Sequence, residues 1–229
     1  MKRIDLLDAW RSLAILCMLV YHFLYDLTVF GFMEIEKFES PGLDALQLFI
    51  CCSFILLSGI SSRFSRNNVR RGLIVLGAGA LVMVGAYAAG EPILFGILQF
   101  LGVAMIIYGL AGKYIERLNR SIAAPLFLIL FAATWIWTEN TLVEVTWLWP
   151  LGFIHRDFYS ADYFPIMPWL FLFLLGTWAG GVIKKLKEQH WLHTPLHPAL
   201  TWPGRNSLII YLLHQPVLYG MCWAASKLA

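Results

Sequence analysis

Apolar stretches recur along the whole chain, and short polar segments separate them. A helix needs roughly 18 or more mostly apolar residues to cross about 30 Å of hydrocarbon. The stretches that reach or approach this length cover residues 7–32, 43–61, 72–89, 93–111, 122–137, 164–183 and 207–225. The pattern predicts an all-α protein, a polytopic bundle of about seven transmembrane helices.

The composition excludes a soluble globular domain of this size. Hydrophobic residues make up 59% of the chain, charged residues only 14%, and the mean hydropathy is +0.69. Too little polar surface is left to cover a water-soluble core, so we predict an integral membrane protein in contact with lipid. The net charge of +3 comes from the loops and does not indicate a nucleic-acid partner.

The cysteines all lie within apolar stretches. Their spacing fits neither a disulfide framework nor a metal site, and no metal is expected. They are Cys17, Cys51, Cys52 and Cys222.

Basic residues are concentrated in alternate connections. Short loops rich in Lys and Arg are retained in the cytoplasm, which predicts an N-terminus inside and a C-terminus outside. The segment 138–163 would then be an extracytoplasmic cap on a single domain over 1–229. The first apolar stretch is too long for a signal peptide and lacks a small-residue cleavage site. The basic residues are Lys2, Arg3, Arg63, Arg66, Arg70, Arg71, Lys113, Arg117, Arg120, Lys184, Lys185 and Lys187.

Polar residues in the first apolar stretch share one face. Asp8, Arg11, His22 and Asp26 follow one another at helical spacing, with Ile15 and Met18 between them. A charged stripe that faced lipid would be costly, so it should face the bundle interior or an aqueous cavity. We expect Asp8 and Arg11 to pair. For His22 and Asp26 we expect a function, because histidine suits proton transfer near neutrality.

The last apolar stretch shows a similar pattern. Arg205 and Asn206 open it, and Tyr211 and His214 project from one face toward the middle of the membrane. His214 has two interpretations, a catalytic group or a hydrogen bond that bridges helices. Gln215 likewise either serves the site or satisfies the carbonyl freed by the following proline.

Two more polar residues stand where apolar ones would suffice. Gln99 lies inside the fourth apolar stretch, and Asp162 lies at the outer mouth of the sixth, beside a proline-bearing entry. Asp162 is predicted on the same side of the membrane as Asp26. Both residues are candidates for contact with a substrate.

Five blocks spread over nearly the whole chain combine these features. They read "RIDLLDAWRSLAILCMLVYHFLYDL", "LLSGISSRFSR", "GILQFLGVAMIIYGL", "SADYFPIMPWLFLFLLGTWAG" and "GRNSLIIYLLHQPVL". Together they resemble the heparan-α-glucosaminide N-acetyltransferase catalytic-domain family, in its short bacterial form, within a wider group of transmembrane acyltransferases.

The resemblance implies an enzyme that takes an acyl group, acetyl above all, from cytoplasmic acyl-CoA and delivers it to an extracytoplasmic sugar or glycan-like acceptor. Family members place a histidine on an early span at the transfer site, and His22 matches it. The bacterial form implies the cytoplasmic (inner) membrane, and the lysosomal relative suggests a homodimer. That relative has a large luminal domain without a counterpart here, which leaves the acceptor open.

The residues themselves suggest separate sites for binding the donor and for the reaction. Cations are needed for the phosphates of acyl-CoA, and the candidates for this donor site are Arg11, Arg63, Arg66, Arg205 and Asn206. Arg70 and Arg71 fit a topogenic loop better. The thioester would then run along the polar stripe of the first span toward His22.

At the reacting end, His22 would act as general base and Asp26 would orient its imidazole. Gln99, Asn206 or His214 could donate to the developing oxyanion. Tyr211 and Asp162 are assigned to the acceptor. Direct transfer and a route through an acylated histidine both remain open.

Two other classes of protein compete with an acyltransferase. A secondary transporter or proton-coupled carrier would also show intramembrane His and Asp, but it often shows inverted repeats, which are absent from this sequence. A structural scaffold would leave the face formed by His22 and Asp26 unexplained. Binding of acyl-CoA discriminates between these classes.

Overall fold

The computed structural model describes residues 4–186 and 195–228. Within these ranges the chain is helical, and strand-like pairing is limited to two isolated bridges. The predicted topogenic residues Lys2, Arg3 and Lys187 lie outside the described residues. The helices are α1 (Asp5–Val29), α2 (Ile35–Phe38), α3 (Pro41–Phe64), α4 (Asn68–Ala88), α5 (Ile97–Ile115), α6 (Arg120–Glu139), α7 (Ile166–Lys185), α8 (Pro198–Arg205) and α9 (Ser207–Ser226), with a 3₁₀ turn at Trp149–Leu151.

Seven of these helices are long and apolar enough to cross a membrane: α1, α3, α4, α5, α6, α7 and α9. Each of them coincides with one predicted apolar stretch, so the predicted all-α membrane fold is confirmed. Two short helices, α2 and α8, were not predicted. Arg205 was expected to open the last span, but it ends α8. The backbone leaves the helical region at Asn206 (φ −108°, ψ 21°), and α9 begins with the next residue.

The chain divides into two compact units. The terminal unit consists of residues 4–54 and 195–228, and the central unit of residues 55–186. The first part of α3 therefore belongs to the terminal unit and its last part to the central unit. That residues 1–229 form a single domain stays a prediction.

In the terminal unit, α8 and α9 both pack against α1. The backbone of α8 approaches α1 closely at Gly204, where an added Cβ would collide with the carbonyl oxygen of Asp8. The Ser12 hydroxyl fastens this contact, because it accepts the Gly204 amide at 2.8 Å and donates to the Asp8 carbonyl at 3.0 Å. Trp10 further donates its indole N–H to Ser53 of α3 at 3.1 Å.

In the central unit, α4 packs along α5 and α6 along α7. The predicted cap segment, 138–163, is partly fixed against the start of α5. Phe164 donates its amide to the Phe95 carbonyl at 2.7 Å, and Ala161 donates to the Pro92 carbonyl at 3.0 Å. The Tyr163 hydroxyl donates to the Trp149 carbonyl at 2.6 Å. The segment is thus an ordered connection, and its extracytoplasmic location stays a prediction.

Candidate functional sites

Two histidine rings meet in the terminal unit. His22 of α1 and His214 of α9 have ring centroids 4.8 Å apart, with planes inclined by 58°. The buried His214 places Nδ1 at 2.6 Å from the Tyr211 carbonyl oxygen. A carbonyl oxygen only accepts hydrogen bonds, so this contact assigns the proton to Nδ1. Nε2 then carries the free lone pair, and it is buried without a partner among the described residues.

This tautomer changes one predicted role of His214. A neutral imidazole whose Nδ1 proton is already bound can accept through Nε2 but cannot donate to an oxyanion. His214 therefore fits a base, or a group that receives a proton, better than an oxyanion donor. The ring of Tyr211 lies beside it, with centroids 5.3 Å apart, as expected from their shared face.

One turn further along α1, Asp26 is held by Gln215. Asp26 has 0% exposure, and its Oδ1 accepts the Gln215 side-chain amide at 2.7 Å. The second carboxylate oxygen and the Gln215 carbonyl oxygen are buried without partners in the described chain. The side-chain N–H of Gln215 thus goes to Asp26 and not to a freed backbone carbonyl. Orientation of His22 by Asp26 stays a prediction, because the observed hydrogen bond of Asp26 is made to Gln215.

A charge cluster lies near the start of α1. Asp8 pairs with Arg11 at 3.1 Å, as predicted, and also with Arg205 at 3.3 Å. Arg205 contacts Asp5 as well, at 2.9 Å. Two guanidinium groups therefore face two carboxylates, so the charges of these four residues balance one another. Asn206 donates to the Trp202 carbonyl at 2.9 Å, which stabilises the end of α8. The predicted binding of donor phosphates by these residues is not tested by this geometry.

A basic pocket lies in the central unit where α3 ends, α4 begins and α5 ends. Its volume is about 230 Å³. The predicted donor ligands Arg63 and Arg66 both line it, together with Lys113, Tyr108 and Glu116. Arg63 donates to the Tyr108 hydroxyl at 3.2 Å and forms an ion pair with Glu116. Three cations and one carboxylate give the pocket a net charge of +2, which suits an anion.

The two predicted substrate residues of the central unit have structural partners. Gln99 donates to the Gly79 carbonyl of α4 at 3.0 Å. Asp162 accepts the Ile97 amide at 3.0 Å, at the N-terminus of α5, where a carboxylate interacts favourably with the helix dipole. Burial raises the pKa of Asp162 to about 6. Their contact with a substrate stays a prediction.

The sequence of the chain matches the model of a protein family. The model of the heparan-alpha-glucosaminide N-acetyltransferase catalytic domain matches residues 3–216. The chain belongs to this family. No curated protein and no solved structure matches the chain. Together with its seven apolar helices, membership of the family indicates a membrane acetyltransferase.

The match of this acetyltransferase family covers both histidines, Asp26, Gln215 and the basic pocket. Several residues of these sites were not predicted from the sequence. Lys113 was counted only as a topogenic residue, and Tyr108 and Glu116 were not considered. Lys113 and Glu116 are three residues apart and therefore share one side of the end of α5, which was a usable signal once Arg63 had been proposed as a ligand.

Proposed function

We propose that this protein transfers an acyl group, acetyl above all, from acyl-CoA to an amine or hydroxyl of an extracytoplasmic sugar or glycan-like acceptor. The observation that carries the proposal is the contact between His22 and His214 on two membrane-type helices of an acetyltransferase family member. Two adjacent imidazoles within membrane-type helices cost free energy, and ionisable residues in such positions are usually functional. Proton transfer during acyl transfer is such a purpose.

His22 is proposed as the general base. Its imidazole takes the proton of the attacking amine or hydroxyl while the nucleophile forms a bond to the thioester carbonyl. The carbon–sulfur bond then breaks, and the proton passes to the departing CoA thiolate. A positioned base contributes about 10² to 10⁴ in rate.

His214 and Asp26 support this proton transfer. The free Nε2 of His214 gives the site a second proton acceptor beside the His22 ring. Asp26, four residues further along α1, supplies a carboxylate that can balance an imidazolium. Gln215 holds that carboxylate in place through the bond at 2.7 Å. A route through an acylated histidine would use the same residues, and it would differ by an isolable acyl-enzyme.

The phosphates of the donor are assigned to the basic pocket of the central unit. Arg63, Arg66 and Lys113 line this pocket, and charge-assisted bonds from arginine suit phosphate oxygens. Arg66, Lys113, Arg117 and Arg120 lie at or between helix ends in the connections that the charge rule assigns to the cytoplasm. This supports a donor that enters from the cytoplasm and an acceptor that enters from the opposite side.

The decisive experiment separates binding from chemistry at His22. His22→Ala removes the proposed base and leaves the basic pocket unchanged. We therefore expect transfer from labelled acetyl-CoA to fall by about 10² to 10⁴, while the affinity for CoA stays within twofold. Transfer is followed in proteoliposomes that contain a mixture of cell-envelope glycans.

The matched control is His155→Ala, which removes a histidine from the connection between α6 and α7. This variant should keep its rate. His214→Ala tests the second proton acceptor, and a drop in rate without a drop in CoA affinity is expected there too. If the His22→Ala protein binds CoA and transfers acetyl groups at the unmodified rate, the histidine pair is a structural contact and the proposed base is wrong.

A further inference from the structure

The basic pocket already contains a carboxylate. Glu116 follows directly after α5, and its Oε1 accepts the Tyr108 hydroxyl at 2.6 Å and forms the ion pair with Arg63. Tyr108 in turn accepts from Arg63 at 3.2 Å. A guanidinium and a phenol that converge on one oxygen form the arrangement that would hold a phosphate oxygen.

We propose that Glu116 is a built-in competitor for the donor phosphate, occupying its place on Arg63 and Tyr108 until acyl-CoA displaces it. This inference rests on the proposed function of the pocket and adds a control of donor affinity.

Exposure decides which partner moves. The Arg63 side chain is 16% exposed, whereas the Glu116 side chain is 42% exposed. A half-exposed carboxylate at a helix end is readily hydrated when it is released. The guanidinium, in contrast, lies against α7, where an added Cβ on Gly181 would be 3.4 Å from the Arg63 Nε. The ligand therefore meets a fixed cation and replaces a movable anion.

The pocket provides further donors for the incoming group. Arg66 and Lys113 line it and form no ion pair among the described residues. The Nε of Arg63 is also buried, and it has no hydrogen-bond partner among the described residues. A phosphate that replaces Glu116 would thus gain contacts that a single carboxylate at the end of α5 does not make.

The competition acts only on ligands that carry a phosphate. A phosphate monoester carries about −1.5 to −2 at neutral pH, and it exchanges favourably for a carboxylate of −1. A ligand without phosphate gains nothing by displacing Glu116, so the ion pair stays closed against it. The consequence is a lower affinity for the donor than the cations alone would give, whereas the affinity for a ligand without phosphate is unaffected.

The test is a titration of the full chain in detergent with CoA, and with pantetheine, which lacks every phosphate. Glu116→Gln keeps an acceptor for Tyr108 but removes the competing charge. We expect CoA to bind roughly fivefold more tightly to this variant, the factor that corresponds to about 1 kcal/mol for one exposed charge pair. Binding of pantetheine should not change. Glu116→Asp, which keeps the charge but shortens the side chain, should give a smaller gain.

The matched control is Glu139→Gln, which removes the same charge from the exposed end of α6 and should leave CoA affinity within twofold. A second control uses Arg63→Gln. Since Glu116 is proposed to act through Arg63, Glu116→Gln should give no gain in the Arg63→Gln background.

The outcomes separate this inference from the donor site itself. If Arg63→Gln combined with Arg66→Gln leaves CoA affinity unchanged, the phosphate site is elsewhere and the proposed donor pocket is wrong. If that double substitution weakens CoA binding but Glu116→Gln does not tighten it, the donor pocket stands and the competitor role is wrong. Equal gains for CoA and pantetheine would also overturn the competitor role.

Discussion

The hydrogen bond between Asp26 and Gln215 gives a sharp prediction for the terminal unit. Asp26 has no exposure, and the only hydrogen bond of its carboxyl group among the described residues comes from the Gln215 amide at 2.7 Å. Gln215→Leu removes that donor from a carboxyl group that no water reaches from the surface. Hydrogen bonds to charged groups contribute about 1.5–3 kcal/mol, and a buried group left without a partner loses at least that much. We expect a loss of about 2 kcal/mol in the free energy of unfolding.

A loss of this size is measurable by thermal unfolding of the purified protein in detergent. For a chain of 150–250 residues each kcal/mol corresponds to about 2–4 °C, so the midpoint should fall by roughly 4–8 °C. The control is Gln47→Leu, which removes the same amide from an exposed position on α3 and should shift the midpoint by less than about 2 °C.

A double substitution completes the test. Asp26→Leu with Gln215→Leu removes both polar partners, and such a pair of changes can be nearly neutral even where each single change is destabilising. The double variant should therefore be more stable than the sum of the single effects, by about 0.5–3 kcal/mol. Additive losses, or a Gln215→Leu midpoint equal to that of Gln47→Leu, would refute the coupling between the two residues.

Two further predictions concern the central unit. Gly59→Ala should lower the free energy of unfolding by about 1–3 kcal/mol, because its Cβ would overlap the Phe173 carbonyl oxygen. The control, Gly77→Ala, lies in open space on α4 and should raise the free energy of unfolding by about 0.5–1 kcal/mol. Similar unfolding midpoints for the two variants would contradict this packing. Burial raises the pKa of Asp162 from 3.8 to about 6, so protonation of its carboxyl group stabilises the folded protein. This stabilisation is fully present below pH 3.8 and is lost as the pH rises through about 6. Unfolding midpoints between pH 4 and 7 should show this loss in the unmodified protein but not in Asp162→Asn, and parallel curves would exclude it.

The membrane-spanning helices could be predicted because one property decides them. A stretch of about 20 apolar residues is unfavourable in water, and in lipid its backbone groups must hydrogen-bond within the stretch. Hydropathy alone therefore predicts a membrane-spanning helix. The short helix α8 has neither that length nor that hydropathy. It depends on local capping, with His197 accepting the Ala199 amide and Pro198 at the first helical position, and on the close contact of Gly204 with α1.

For the sites, the sequence predicted which residues share a face of one helix, but not which residues of two helices meet. Helical spacing put His22 and Asp26 on one face of α1, and Tyr211 and His214 on one face of α9. Which residue of α9 meets which residue of α1 depends on the register between two helices, and a single sequence does not contain it. For this reason Asp26 was assigned to His22, whereas the structure gives its hydrogen bond to Gln215.

The predicted donor ligands show the same limit and also suggest a way to rank them. The position of charges along the sequence named arginines near both ends of the chain and at the end of α3, but it did not reveal their partners. In the terminal unit Arg11 and Arg205 are balanced by Asp5 and Asp8. In the basic pocket of the central unit the three cations exceed the one carboxylate that lines it, Glu116, by two. An anion gains little from guanidinium groups that must first give up equal negative charge, because the broken pairs offset the new ones. The unbalanced pocket is therefore the better candidate for the donor phosphates, and the balanced cluster fits the task of fixing α8 against the start of α1.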